Sequence, residues 1–231
     1  MIRMQNVAAL FTKQFKDTLK NMPVLVLFIV YPCIAFVMTQ AMQDQAGTQS
    51  FFISVFATMH CIFTPIVATA SIIAEEKEKN TLRVLIMSNV TLKEYLISVG
   101  GFILSANLIT GIAFLFLNSY NATSIIQFLL SLAAGSLISI VLGICIGLFA
   151  RNAGAANGLA VPFGMVFAFM PMLSFFSKSI ESISRYTFGQ QIAYLLSGKS
   201  PSIHGIAILI VNTVIFIVIS TKLYQKSLSE E

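Results

Sequence analysis

The sequence predicts an all-α integral membrane protein of six transmembrane helices, and three observations predict it. Apolar residues fill 57% of 231 positions and charged residues only 10%, against roughly 25% charged in an ordinary soluble domain. The apolar residues gather into six runs, each close to the roughly 20 residues that cross a bilayer. Lys and Arg fall mainly in alternate connections, as topology signals do. Six spans nearly exhaust the apolar supply, so no soluble catalytic domain fits beside them. There is no G-x-x-x-x-G-K-[ST], so this chain has no P-loop for a nucleotide.

Residues 1–22 read as an amphipathic interfacial helix: Val7, Phe11, Phe15 and Leu19 recur at four-residue spacing, with Lys13, Lys16 and Lys20 near another face. No A-x-A-like cleavage site follows, so the first span is expected to be retained. The transmembrane domain takes 23–221, with spans at about 23–42, 51–74, 95–117, 125–150, 159–176 and 203–221, and 222–231 form a tail. One set of alternate connections carries eleven Lys and Arg, and the other carries three, Lys178, Arg185 and Lys199. The positive-inside rule then places both termini in the cytoplasm. Residues 177–202 are too apolar for a solvated loop, and are expected to form one or two short helices dipping into the outer leaflet. Asn121-Ala122-Thr123, on the same side, matches a glycosylation sequon, a weak signal at three residues.

The charge of +5 is spread over short connections and not massed into a patch, which argues against nucleic acid. Cys33, Cys61 and Cys145 each lie inside an apolar run, without metal-ligand spacing. No Asp, Glu, Lys or Arg sits mid-span, where each would cost roughly 2.5 to 3.5 kcal/mol. That excludes the buried ionisable groups of ion-coupled transport, aspartyl proteolysis and voltage sensing. His60 is the one imidazole inside a span, and it reads as a helix-contact residue ahead of a proton relay. No catalytic residue and no metal site is assigned.

Pro32, Pro65, Pro162 and Pro171 interrupt spans and invite kinks. The fourth span carries Ser131, Gly135, Ser139, Gly143 and Gly147, a small residue every fourth position, expected to let another helix approach closely, within the chain ahead of a dimer seam. Phe51, Phe52, Phe56, Phe63, Phe163, Phe167 and Phe169 are the candidate wall of a path for apolar or amphipathic cargo.

The most informative segment is Ile73-Ala74-Glu75-Glu76-Lys77-Glu78-Lys79-Asn80-Thr81-Leu82-Arg83-Val84-Leu85-Ile86-Met87-Ser88-Asn89-Val90. Asn80 supplies a left-handed break, Thr81 caps a new helix, and Leu82, Leu85 and Ile86 share a face. Asn89 ends that helix, and Thr91-Leu92-Lys93-Glu94 fits a capping box opening the third span. A short helix with three apolar residues amid charges suits docking into a groove on a soluble partner.

This loop resembles that of the membrane subunits of type-2 ATP-binding-cassette exporters, a branch of drug, antibiotic and polysaccharide export permeases. Glu75-Glu76-Lys77-Glu78 matches the family's acidic part, Thr81-Leu82 its Thr-Leu, Leu85-Ile86 its apolar pair and Ser88-Asn89-Val90 its end, with Asn80 in place of Gly and Asn89 in place of Pro. The layout of the whole chain is similar as well. The resemblance implies a coupling helix in which Glu75, Glu76, Glu78, Thr81, Leu82, Arg83, Leu85 and Ile86 meet a separate ATPase subunit. It also implies a second six-span permease as homodimer or heterodimer, surrounding lipids, ATP and magnesium held by the partner and not by this chain, and a bacterial cytoplasmic membrane. The expected function is the permease subunit of an exporter for a hydrophobic or amphipathic cargo such as a peptide, drug or lipid-like molecule. The alternative is a stand-alone membrane immunity or binding protein without an ATPase.

Overall fold

A computed structural model describes residues 3–42, 48–117 and 121–229. Residues 43–47 and 118–120, counted above among connections without Lys or Arg, and 230–231 of the tail lie outside the described residues. Ten α-helices and no strand occur among the described residues. Six of the helices are long and apolar enough to cross a membrane.

Helix α1 (Met4–Lys20) precedes α2 (Met22–Ala41), whose first turn is capped by the Asn21 side chain. Helix α3 (Thr48–Glu78) returns to the starting end of the bundle, and the short α4 (Thr81–Met87) follows. The break between them is Asn80, with φ at 56°, and Asn89, with φ at 61°, closes α4. Asn tolerates this left-handed region better than most residues. Thr81 does not take the capping role expected of it. Asn80 already occupies the cap position, and the Thr81 hydroxyl turns back to donate to the Glu76 carbonyl of α3.

Helix α5 (Leu92–Gly111) opens with the expected reciprocal capping box of Thr91 and Glu94, and tightens into a 3-10 turn over Ile112–Leu117. Helix α6 (Ala122–Phe149) and α7 (Ala153–Ser174) form the next pair of spans. The Asn152 side chain caps α7 by accepting from the Ala155 N–H, so the helix starts six residues ahead of the apolar run at Leu159. The short helices α8 (Lys178–Ser184) and α9 (Phe188–Leu196) lead to α10 (Ile203–Ser229), which runs on through most of the segment read as a tail.

Helix α3 is the axis of the bundle. In its most apolar stretch 83% of residues are buried, against 11% for α10, so α3 packs on protein all round while most of α10 faces outward. The small-residue stripe of α6 explains how α3 is held so closely. A Cβ on Gly143 would come within 2.8 Å of the Ile66 carbonyl oxygen and of Thr69, and one on Gly147 within 2.8 Å of Ile73. A Cβ on Gly135 would meet Cys61 and Ile192, so this glycine admits both α3 and α9. All three glycines serve packing inside the chain.

Helix α9 does not stay at the rim. Ile192 reaches Gly135, 13 residues and roughly 20 Å along α6 from its start. Its deepest support is a backbone atom: Pro171 has no N–H to offer the carbonyl four residues earlier, and that carbonyl, of Phe167, lies directly against Gly189. Any side chain at 189 would overlap it. Phe188 completes the seat, with its ring 4.9 Å from Phe167 and 5.8 Å from Phe216 of α10.

Replacing Gly143 by Leu forces a branched side chain into the backbone of α3, an overpacking that costs about 1 to 3 kcal/mol or more. The expected outcome is a lowered thermal midpoint in detergent, measured against Gly158→Leu, whose Cβ meets nothing within 4 Å and which leaves the midpoint unchanged.

Candidate functional site

Five consecutive charged residues of mixed sign, Glu75, Glu76, Lys77, Glu78 and Lys79, run through the end of α3. Successive residues of a helix point about 100° apart. Five consecutive charges therefore sweep the full circumference, and here each finds a different neighbour. The Glu76 Oε1 accepts from Lys13 Nζ at 2.6 Å and from Gln14 Nε2 at 2.7 Å, both on α1. The Glu75 Oε2 accepts from Asn21 Nδ2 at 3.2 Å, at the joint between α1 and α2, and its Oε1 pairs with Lys79. That hydrogen bond raises the Lys79 pKa above the ordinary lysine value.

Lys77 and Glu78 meet the exposed backbone groups of two other helix ends. Lys77 Nζ donates to the Leu148 and Ala150 carbonyls, each at 2.7 Å, where α6 ends. The Glu78 Oε2 accepts from the Ala153 N–H at 2.9 Å, where α7 begins. The signs are right for both macrodipoles, cation at the C-terminus and anion at the N-terminus. Glu94 adds a parallel tie. Its carboxylate accepts from the Arg3 backbone N–H at 2.6 Å, Asn6 Nδ2 at 3.2 Å and the Thr91 N–H at 2.9 Å, joining α1 to α5.

Helix α4 projects from this hub. Leu82 and Leu85 are half-buried and pack on the apolar cluster formed by α1, α2, α3, α5 and α6. Val84, Ile86 and Met87 are exposed by 60%, 43% and 78%, and Arg83 is exposed beside them. The three residues expected to form one docking face are thus split. Two leucines anchor the helix to its own chain, and an outward apolar surface is made by Val84, Ile86 and Met87. Of the acidic residues in the same expectation, Glu78 is exposed, Glu75 half-buried and Glu76 buried, and all three accept hydrogen bonds from within the chain.

The phenylalanines read as one wall are dispersed. Phe51, Phe52 and Phe56 form a ladder at the end of the bundle away from α4, with Phe51 edge-on to Phe175 at 4.9 Å. Phe63 packs against Tyr31 and Gly164, Phe167 belongs to the seat of α9, Phe169 is half-buried and Phe163 faces outward. His60 is fully buried and holds helices together: its Nε2–H donates to the Asn107 carbonyl at 3.1 Å and lies 3.1 Å from Thr110 Oγ1, while Asn107 Nδ2 donates to Ser136 Oγ at 2.7 Å. The network links α3, α5 and α6.

Sequence reasoning missed Lys77 as the cap of α6, Gln14 and Asn21 as partners of the acidic run, and the tie from Glu94 to α1. The one local signal was the run of five consecutive charges of mixed sign at the end of a span.

A family model described as "ABC-2 family transporter protein" matches residues 35–222. A search of curated proteins returned no match.

Glu76→Gln removes the buried carboxylate that accepts from both Lys13 and Gln14, and leaves Lys13 only the more distant Asp17 at 3.7 Å, which costs about 1 to 3 kcal/mol. Glu78→Gln removes an exposed helix-end charge worth about 0.3 to 1 kcal/mol. Thermal unfolding in detergent is expected to rank the first variant clearly below the second.

Proposed function

Since this chain belongs to the ABC-2 family of transporter proteins, we propose that it is the permease subunit of an ATP-binding-cassette exporter. The family implies partnership with an ATP-binding-cassette ATPase, and α4 is our choice for its docking element. The observation that carries this reading is the exposed Val84, Ile86 and Met87 surface on a helix whose other face is fixed to the bundle. A helix loosely tethered at both ends would bend when pushed. This one is fixed to the bundle by Leu82, Leu85 and the Thr81 bond to α3, and the end of α3 is bonded in turn through Glu76, Lys77 and Glu78, so displacement passes to α1, α6 and α7 through α3. Pro32, Pro65, Pro162 and Pro171 give α2, α3 and α7 places to bend.

ATP and magnesium would be held by the partner, and binding energy there would bias this chain between two arrangements. A second six-span copy or relative completes the path. Because no charge lies mid-span, discrimination rests on apolar and aromatic contacts, which suits a hydrophobic or amphipathic cargo. The excess of Lys and Arg on the side of α1, α4 and the chain ends supports a cytoplasmic location for that side and outward export. Helix α1 fits the inner interface: Leu10, Gln14 and Thr18 face the protein, Phe15 and Leu19 face out, and Phe11 stands between them, edge-on to Phe102. A bacterial cytoplasmic membrane is the setting we assign.

Co-purification of the tagged chain from its native cell tests the reading. Wild type is expected to bring down an ATPase, and Val84→Asp and Met87→Asp to lose roughly tenfold or more of it while staying monodisperse. Leu82→Asp fails differently, by unfolding, since Leu82 packs on the chain's own core. If wild type captures no ATPase in several detergents, the stand-alone membrane binder takes precedence.

A further inference from the structure

The bundle contains a cavity of about 380 Å³ between α3, α7, α8 and α9, at the end away from α4. This recess shares Ser54, Phe175 and Ser197 with an adjoining cavity of about 400 Å³. Its walls differ in chemistry. Val55, Pro171, Met172 and Phe175 make an apolar side. Gln190 stands on the polar side, 2% exposed, and its Oε1 has no hydrogen-bond partner among the described residues. A buried amide oxygen left in this state costs about 1 to 3 kcal/mol. Its neighbour Gln191 shows that the chain can satisfy such a group, because that amide donates to the Arg185 carbonyl.

Two charged residues border the recess and are not equivalent. The Lys199 ammonium lies 4.2 Å from the centre of the Tyr194 ring, a cation already placed over a π-face. Neither the exposed Glu181 carboxylate nor the Lys199 ammonium forms a salt bridge among the described residues, so Glu181 has no partner of opposite charge while Lys199 has the Tyr194 ring. The recess therefore offers two acceptors, one neutral and buried and one anionic at the rim, beside an apolar wall, with the Lys199 ammonium drawn toward the Tyr194 ring.

We infer that this recess is a binding site for a cationic amphiphile, an apolar chain or side chain ending in a protonated amine. The apolar part lies along Met172 and Phe175, ammonium or amide hydrogens meet the Gln190 oxygen, and the positive charge faces Glu181. The site belongs to this chain alone. It rests on the exporter reading only for its place at the exit end of the path, where it would hold cargo before release.

The test is photolabelling of the purified full-length chain in nanodiscs of zwitterionic lipid, using dodecylamine that carries a diazirine at its alkyl end. Adducts are expected on peptides of α7 and α9, competed by dodecylamine and not by dodecanoate or dodecanol. Glu181→Gln and Gln190→Leu are expected to reduce labelling about tenfold, and Gln190→Glu, which keeps the acceptor and adds charge, to preserve or increase it. Glu181 is on the surface, so its variant keeps the proposal testable if Gln190→Leu does not fold. Labelling unchanged in Glu181→Gln, or competed equally by dodecanoate or by dodecanol, overturns the proposal. Because labelling needs no ATPase, the two readings fail separately. An ATPase that co-purifies without labelling removes the site alone, and labelling without an ATPase removes the exporter.

Discussion

Everything at one end of this protein depends on the five consecutive charges at the end of α3. A helix end leaves backbone groups without partners, and a membrane bundle collects several such ends at one level. Here a single pentad answers two of them, Lys77 at the end of α6 and Glu78 at the start of α7, while Glu75 and Glu76 accept from side chains at the joint of α1 and α2 and on the side of α1. The arrangement works because α3 is central. A peripheral helix with the same sequence would present half of its circumference to lipid or water, and half of its charges would find no helix to hold.

The spans were legible because hydropathy is a one-dimensional signal with a length scale set by the bilayer. The capping box at Thr91 and Glu94, and the left-handed breaks at Asn80 and Asn89, were legible because they are local. The stripe on α6 pointed to close packing, but the identity of its partner, α3, is a long-range fact that spacing does not carry. The ladder of Phe51, Phe52 and Phe56, the internal Phe63 and the outward Phe163 read alike in sequence. Phenylalanine is equally at home in lipid, in a core and along a path, so composition cannot separate these roles.

Helix α4 shows the limit of face arithmetic on a short helix. Leu82, Leu85 and Ile86 do share an arc, yet the chain spends the two leucines on itself and leaves Ile86 outside with Val84 and Met87. A helix of seven residues must be anchored before it can present anything, and its strongest apolar residues go to the anchor. The acidic run follows the same logic. Its residues look like a solvated surface, and its carboxylates serve as the fasteners behind the surface.

The seat of α9 against the Phe167 carbonyl bears on how the protein is made. Nine residues are too few to cross a bilayer, and helix ends at mid-depth are tolerated only where protein surrounds them. Helix α9 therefore has no stable place in lipid of its own, and it gains one only after α3, α6 and α7 have assembled around the vacant seat. Its insertion is a late event in biogenesis, and it closes the bundle only when the three helices beneath it are correctly placed. A chain misassembled at α7 would leave a short apolar hairpin stranded at the membrane surface, the kind of lesion that quality-control proteases find.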